Sequence, residues 1–302
     1  LDSTISRNTG TGVGAAGWPA SGGGLAIGDS NVTLTNTTVS GNQVLGEAGG
    51  SGNAAGIALV TTYAPANLSL LNVTLAGNSA DGAGGAIVGA NISGFPVTVT
   101  FKNTLIGGNT APEGATCLGF DLGYGPPEFI SLGHNLEDHD LCEFDQPTDW
   151  PDTDPLLGPL QDNGGPTWTH ALLEGSLARD HGDDAACPPT DQRGVPRPQG
   201  PHCDISAFEA YPDENAPAVM AVSPPHEAAD VALDATVVIT FSEPISMPTF
   251  AYSVAPDPGG WTESWGPNDT VVSLTHDVFA HDTTYTATVT AAEDRAGNPM
   301  AS

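Results

Sequence analysis

Basic residues are scarce in this chain: six Lys and Arg stand against 36 Asp and Glu, for a formal net charge of −30 over 302 residues. Binding a phosphate backbone needs a basic face, so nucleic acid is excluded as a partner. No apolar run approaches the ~20 residues of a membrane-spanning helix, so no membrane insertion is expected of this segment. Helical periodicity is missing from every long stretch, and 38 glycines with 26 prolines favour turns and short strands. There is no Ser nucleophile elbow, phosphate loop or HExxH, which removes the commonest signatures of acyl-transfer, nucleotide and zinc chemistry. Neither an initiator Met nor a signal peptide opens the chain, and residue 1 falls inside a repeat, as expected of a processed or truncated piece of something longer.

What is present is a unit written four times between Leu1 and Thr110. Asn8, Asn42, Asn78 and Asn109 follow one another at spacings of 34, 36 and 31 residues. Six residues before each stands Asp2, Asn36, Asn72 or Asn103, and three before each stands Ile5, Val39, Leu75 or Ile106. The last three units carry apolar pairs at strand spacing, Val32 and Leu34, Leu68 and Leu70, Val99 and Phe101, preceded by small-residue strands such as Gly84-Gly85-Ala86-Ile87-Val88. Continuing the alternation puts Asn36, Asn72 and Asn103 on the inward face, while the next apolar position has the opposite parity, so the chain must bend there. Three short strands per unit predict one coil of a right-handed parallel β-helix. In it Asp2, Asn36, Asn72 and Asn103, and again Asn8, Asn42, Asn78 and Asn109, are expected to form ladders in which each buried amide bonds its neighbours.

After Ala111 the pattern is lost and the chain turns acidic. Glu137, Asp138, Asp140, Asp145, Asp149, Asp152 and Asp154 are the candidate ligands for a cation, calcium being the one that prefers such oxygens. The plainer reading is a solvated surface, because no calcium-loop motif is spelled out. His134 and His139 read as ordinary surface residues. Of six Asn-x-Ser/Thr sequons, Asn31 and Asn67 sit at loop edges where a glycan is accommodated, whereas Asn36 and Asn72 are expected to stay bare; Asn91 and Asn268 complete the set. Four cysteines occur without a C-x-x-C pair. Cys117 with Cys142 and Cys187 with Cys203 would close two local loops; two crossed connectivities and free thiols are the alternatives.

The spelling from Asp154-Pro-Leu-Leu-Gly through Asn163-Gly-Gly-Pro-Thr-Trp-Thr-His170, Thr190-Asp-Gln-Arg-Gly194, Arg197-Pro198 and Cys203-Asp-Ile-Ser-Ala-Phe-Glu209 closely resembles the bacterial choice-of-anchor Q domain. Ser206 departs from that family, which usually has Gly there. The resemblance covers most of residues 1–211 and implies a secreted β-helical module with no catalytic residues. It also implies a terminal segment that seals the helix end, for which Leu156, Leu160, Trp168, Leu172, Leu173 and Phe208 would supply the cover. Sequence proximity together with this resemblance favours the local pairing of the cysteines.

Residues 212–216 read as an acidic linker, and 217–302 as a separate β-sandwich. Phe241-Ser-Glu-Pro-Ile245, Thr284-Tyr-Thr-Ala287 and Asp294-Arg-Ala-Gly-Asn298 resemble the bacterial Ig-like domains of surface-layer and adhesive proteins. Domains of that type continue into one more strand, which this chain is expected to lack. That strand is expected to belong to the absent remainder of the polypeptide or to come from a second copy in a filament.

Parallel β-helices include polysaccharide lyases and hydrolases, so an enzyme is the rival reading. The coils supply only Arg7 and Lys102 as bases, and Lys102 has outward parity. Asp180, His181, Asp183 and Asp184 are the nearest acid-and-imidazole cluster and read as a loop, while Asp191 and Arg193 read as a structural ion pair. The expectation is therefore a non-catalytic extracellular or cell-surface protein, structural or adhesive. Its expected partners are other copies of itself, other surface proteins or polysaccharide, with calcium as the one cofactor to consider.

Overall fold

A computed structural model describes residues 2–12, 22–46, 52–212, 215–266, 269–294 and 297–301. The chain forms two compact units, Leu1–Tyr211 and Pro212–Ser302. The first is a parallel β-solenoid. A partial coil of β1 (Ser3–Ser6) and β2 (Thr9–Gly12) is followed by β3 (Leu25–Gly28), β4 (Asn31–Ser40) and β5 (Gln43–Gly46). The next turns are β6 (Ile57–Thr61), β7 (Ala66–Ala76) and β8 (Ser79–Ala80), then β9 (Ile87–Asn91), β10 (Val97–Lys102) and β11 (Leu105–Gly107). The last is β12 (Cys117–Asp121), β13 (Glu128–Ser131) and β14 (Leu136–Glu137). They stack as three parallel sheets, β3-β6-β9-β12, β1-β4-β7-β10-β13 with β11 and β14 continuing it, and β2-β5-β8.

The repeat thus runs one turn further than its asparagine markers. Counting on from the Ile106–Glu137 register, Asp140 falls where Asn109 stands, so the last turn carries no marker and its strands are hidden in the acidic stretch.

The inward rows are those expected: Leu68, Leu70, Val99 and Phe101 are buried with Ile57, Leu59 and Ile87 from the first sheet, and with Val39, Val73, Leu75 and Ile106 from beyond the bend. The bend itself is at the asparagines. Asn36, Asn72 and Asn103 have φ of 46°, 49° and 50°, a left-handed conformation that asparagine tolerates better than most residues. The β4–β7 register skips them, pairing Thr35 with Leu71 and Thr37 with Val73. A left-handed residue turns its side chain to the other side of the ribbon, so the expected ladder of Asp2, Asn36, Asn72 and Asn103 forms only in part and not on the inward face: Asn36 donates to Asp2 Oδ1 at 3.3 Å and Asn103 to Asn72 Oδ1 at 3.2 Å. Their side chains point outward and are buried by something else, the segment after residue 180.

A second corner uses Gly41, Gly77 and Gly108, with φ of 63°, 63° and 66°. On the first sheet, a Cβ on Gly56 or Gly85 would lie 2.4 Å from Ala86 O or 2.3 Å from Ala115 O, so these strands approach as only glycine permits.

The end of the solenoid is closed by the loop following β14. Phe144 enters the core edge-on to Phe101 at 5.1 Å, and Cys142 enters with it, bonded to Cys117. Both cysteine pairs are the local ones, Cys117–Cys142 and Cys187–Cys203. The later segment, expected to seal the end, instead runs along the flank. Leu172 and Phe208 are buried with Leu105, Leu136, Ala178 and Ile205 on the outer side of the coils, whereas Trp168 and Leu173 stay 43% and 48% exposed and Leu156 and Leu160 are half-buried.

The second unit packs two antiparallel sheets. β15 (Val219–Ser223), β16 (Val237–Phe241), β18 (Thr262–Trp265) and β19 (Val271–Thr275) are ordered β15-β16-β19-β18, and β17 (Ala251–Ala255) pairs with β20 (Thr286–Ala291). Ile239, Phe241, Ile245, Phe250, Val272 and Leu274 fill the core. Asp294 holds the final turn by accepting the Asn298 N–H at 2.8 Å and its side-chain amide at 2.7 Å, and Pro299 and Met300 return beside Glu293 and Ala292. Asp213, Glu214, Arg295, Ala296 and the Asn268 sequon lie outside the described residues.

Candidate functional site

The chemistry-bearing side chains of the first unit fall into four groups. The first is the asparagine ladder. Asn8, Asn42 and Asn78 each donate Nδ2–H to Oδ1 of the next coil's asparagine, at 2.8, 2.9 and 2.8 Å, and the same Oδ1 atoms accept the backbone N–H groups. The second amide proton of Asn42, Asn78 and Asn109 goes to Ile5 O, Val39 O and Leu75 O. This ladder forms as its spacing predicts, and its buried members have every polar atom engaged.

The second group is the flank segment, a strap that touches every coil. Gln192 donates to Thr4 Oγ1 and accepts from Thr38 Oγ1; Asn36 donates to Thr190 O at 2.7 Å. Ser40 donates to His170 Nε2 at 2.7 Å, and His170 places its own proton on Gly158 O; burial holds this imidazole below its ordinary pKa, in the neutral form the contact requires. Asn72 donates to Asp204 O and Ser206 O, Thr74 Oγ1 accepts the Ala207 N–H, and Asn103 accepts the Asp183 N–H. Within the strap, Asp191 takes the Arg193 guanidinium at 2.8 Å, as read from the sequence, while Arg193 lies 3.6 Å over the Phe208 ring. Arg197 and Glu209 pair at 2.6 Å with both side chains fully enclosed, and Asp204 accepts N–H groups from Asp180 and Ala210. Burial lifts the Asp204 and Glu209 carboxyls above the usual range.

The third group is the acidic segment, and its seven residues do not converge. Glu137 is buried and accepts from Thr116 Oγ1 and the Cys142 and Leu141 N–H groups. Asp149 accepts from the Asn135 and Gln146 N–H groups and from Ser131, Asp138 from the Gly108 N–H, and Asp154 from the Leu156 N–H. Asp145 takes the Gln146 amide, and Asp140 and Asp152 share no ligand position with the others. Among the described residues no three His, Cys, Asp or Glu side chains stand where one metal ion would be held. The carboxylates fold the end cap of the solenoid, so their density reflects N–H groups to be satisfied.

Burial lifts Glu137 to about 7 from an ordinary 4.5. A raised folded pKa means stability that is full below about pH 4.5 and is lost as pH rises through 7. Glu137→Gln is therefore expected to flatten the decline of melting temperature between pH 5 and pH 8, an effect on the order of 1–3 kcal/mol measured by calorimetry.

The fourth group is a groove of about 570 Å³ between the last turn and the strap, lined by His134, Trp150, Asp180, His181, Asp183 and His202, among others. The cluster at Asp180, His181, Asp183 and Asp184 does come together here. Two of its carboxylates are already bound: Asp183 to Lys102 Nζ at 2.7 Å, and Asp184 to His202 Nδ1 at 2.8 Å and to the Cys203 N–H. These partners hold both below the ordinary range, whereas burial raises Asp180. Lys102, outward as expected, bonds Leu132 O as well and so ties β10, the last turn and the strap together. His134 directs Nδ1 to His181 O, and His139 pairs with Asp138.

Of the glycan candidates, Asn31 is exposed and accepts from the half-buried Asn67 amide at 2.6 Å; Asn36, Asn72 and Asn91 are buried.

Residues 213–302 match the family described as Bacterial Ig-like domain. No characterised protein and no solved structure matches the chain. Domains of the matched kind occur in bacterial surface proteins, and the two disulfides fit an oxidising compartment.

Proposed function

We propose that this chain is a non-catalytic scaffold or adhesive segment of a bacterial surface protein, exported to the cell exterior, with a first unit of the choice-of-anchor Q kind. The observation that carries this reading is where the reactive groups go. Asp191, Glu209 and Arg197 are enclosed in the strap, Glu137 and Asp149 cap backbone N–H groups, and Asp183 and Asp184 are bound to Lys102 and His202. A glycosidase needs two carboxyl groups facing one sugar across free space, and a lyase needs an unencumbered base. The rival reading, a polysaccharide-degrading enzyme, draws on the groove at Asp180. Incubation with acidic and neutral polysaccharides in the presence of calcium, followed by assay of new reducing ends and unsaturated products, separates the two. No turnover is expected; turnover abolished by Asp180→Asn or Asp183→Asn would overturn the scaffold reading.

A further inference from the structure

We propose that the solenoid edge formed by the turns after β6, β9 and β12 is a binding platform for a neutral polysaccharide chain. This rests on the adhesive reading and deepens it, placing a ligand on turns other than the bends that the strap bonds at Asn36, Asn72 and Asn103. Parallel registers align Thr61 with Asn91 and Asn91 with Asp121 at the start of these turns, and Ala66 with Val97 at the end of the first two. The turns are therefore stacked one strand spacing apart, about 4.8 Å. Each raises one aromatic ring to solvent: Tyr63 is 83% exposed, Phe95 39% and Tyr124 57%.

These rings sit on stiff backbone. Asp29 Oδ1 accepts the N–H groups of Thr62, Tyr63 and Ala64 at 2.6, 3.0 and 3.2 Å. Asn91 accepts the Gly94 N–H and donates to Tyr124 O, Thr61 Oγ1 donates to Phe95 O, and Asp121 Oδ1 accepts the Gly123 and Gly125 N–H groups. Tyr124 lies over Gly94, where a Cβ would meet its Cδ1 at 3.5 Å. Folding gains nothing from leaving three rings in water, since burying one such side chain is worth about 1.5–3 kcal/mol. Exposed apolar rows on rigid turns mark interaction sites instead.

Charge selects the partner. Between Arg7 and Lys102 the chain has no Lys or Arg, and the charged groups that flank these turns in the chain or cap them include Asp29, Asp121 and Glu128, all acidic. Phosphates, acidic glycans and anionic membranes are repelled by such an edge. A neutral sugar offers an apolar C–H face, attracted to the negative face of an aromatic ring, and hydroxyl groups that donate. Asp29 and Asp121 each use Oδ1 for the backbone, which leaves Oδ2 as an acceptor beside the rings, and the N–H groups of the Thr62 turn keep Asp29 ionised by holding its pKa down. Successive turns present their rings along the solenoid axis, so a linear polymer engages several at once.

The test is affinity electrophoresis of the whole chain through gels containing neutral glucans, mannans or xylans, or acidic polygalacturonate or alginate. At least one neutral polymer is expected to retard it. Tyr63→Ala/Tyr124→Ala is expected to weaken that retardation about tenfold or more with unchanged melting, and Tyr63→Phe/Tyr124→Phe to retain it. Absence of retardation by every neutral polymer, retardation by acidic polymers alone, or undiminished binding by the double Ala variant would overturn the proposal. Self-association lost with the same substitutions would overturn it too, by assigning the row to a second copy. New reducing ends in these incubations would count against the scaffold reading, whereas failure to bind without turnover counts against this platform alone.

Discussion

Asn78→Ala is expected to destabilise the first unit by about 3–5 kcal/mol, read as a lower denaturant midpoint at unchanged slope. Asn78 is fully buried, and its Oδ1 is the acceptor for both the backbone and side-chain N–H of Asn42. Its Nδ2 serves Val39 O and Asn109 Oδ1. Alanine leaves the two Asn42 donors without partners where water has no access and takes one bond each from Val39 O and Asn109 Oδ1, the latter keeping the backbone N–H of position 78; each unsatisfied group costs about 1–3 kcal/mol. Asn78→Asp keeps the acceptor but sets oxygen against oxygen at Asn109 and Val39, so it is expected to be no better. Asn31→Ala, which breaks an exposed rung, is the contrast and is expected to stay within about 0.5 kcal/mol.

Arg197→Met is expected to cost about 3–5 kcal/mol, because it strands Glu209 and Asp204 in an enclosed site. Arg197 also donates to Ser206 O at 2.7 Å, so the strap loses a backbone anchor next to the point where Asn72 holds it. Burial already raises the Asp204 and Glu209 pKa values, and removing the cation raises Glu209 further. A raised folded pKa costs stability as pH increases, so the loss should be larger at pH 8 than at pH 5. Adding Glu209→Gln to Arg197→Met is expected to recover part of it, since the stranded charge is then gone.

The solenoid was legible because its repeat places one amide per coil at constant phase, and a buried amide ladder tolerates no other residue. Asn36, Asn72 and Asn103 obey the same spacing but a different physics. They are chosen for the left-handed backbone of the bend, and parity counted through such a residue gives the wrong side of the sheet. That error hid the strap, since outward asparagines need a cover and inward ones do not. The acidic stretch was legible as carboxylates but not as N–H caps, because the donors come from backbone that only the fold brings near. The local disulfides followed from proximity and resemblance. Tyr63, Phe95 and Tyr124 share no fixed spacing, since the turns differ in length, and only the column of Pro65, Pro96 and Pro126 just before the next strands hints that the turns align.

Residues after 180 lie along the flank of the coils and not over their end, and the contact that fixes them there is open to a direct measurement. Ala207 N–H meets Thr74 Oγ1 at 3.1 Å, 133 residues away in sequence. The double variant Thr74→Cys/Ala207→Cys, oxidised in the folded chain and mapped by peptide mass spectrometry, should yield a disulfide joining positions 74 and 207 beside the two native ones. Free thiols at both positions in a chain that retains its native melting temperature would place the segment elsewhere and contradict the account.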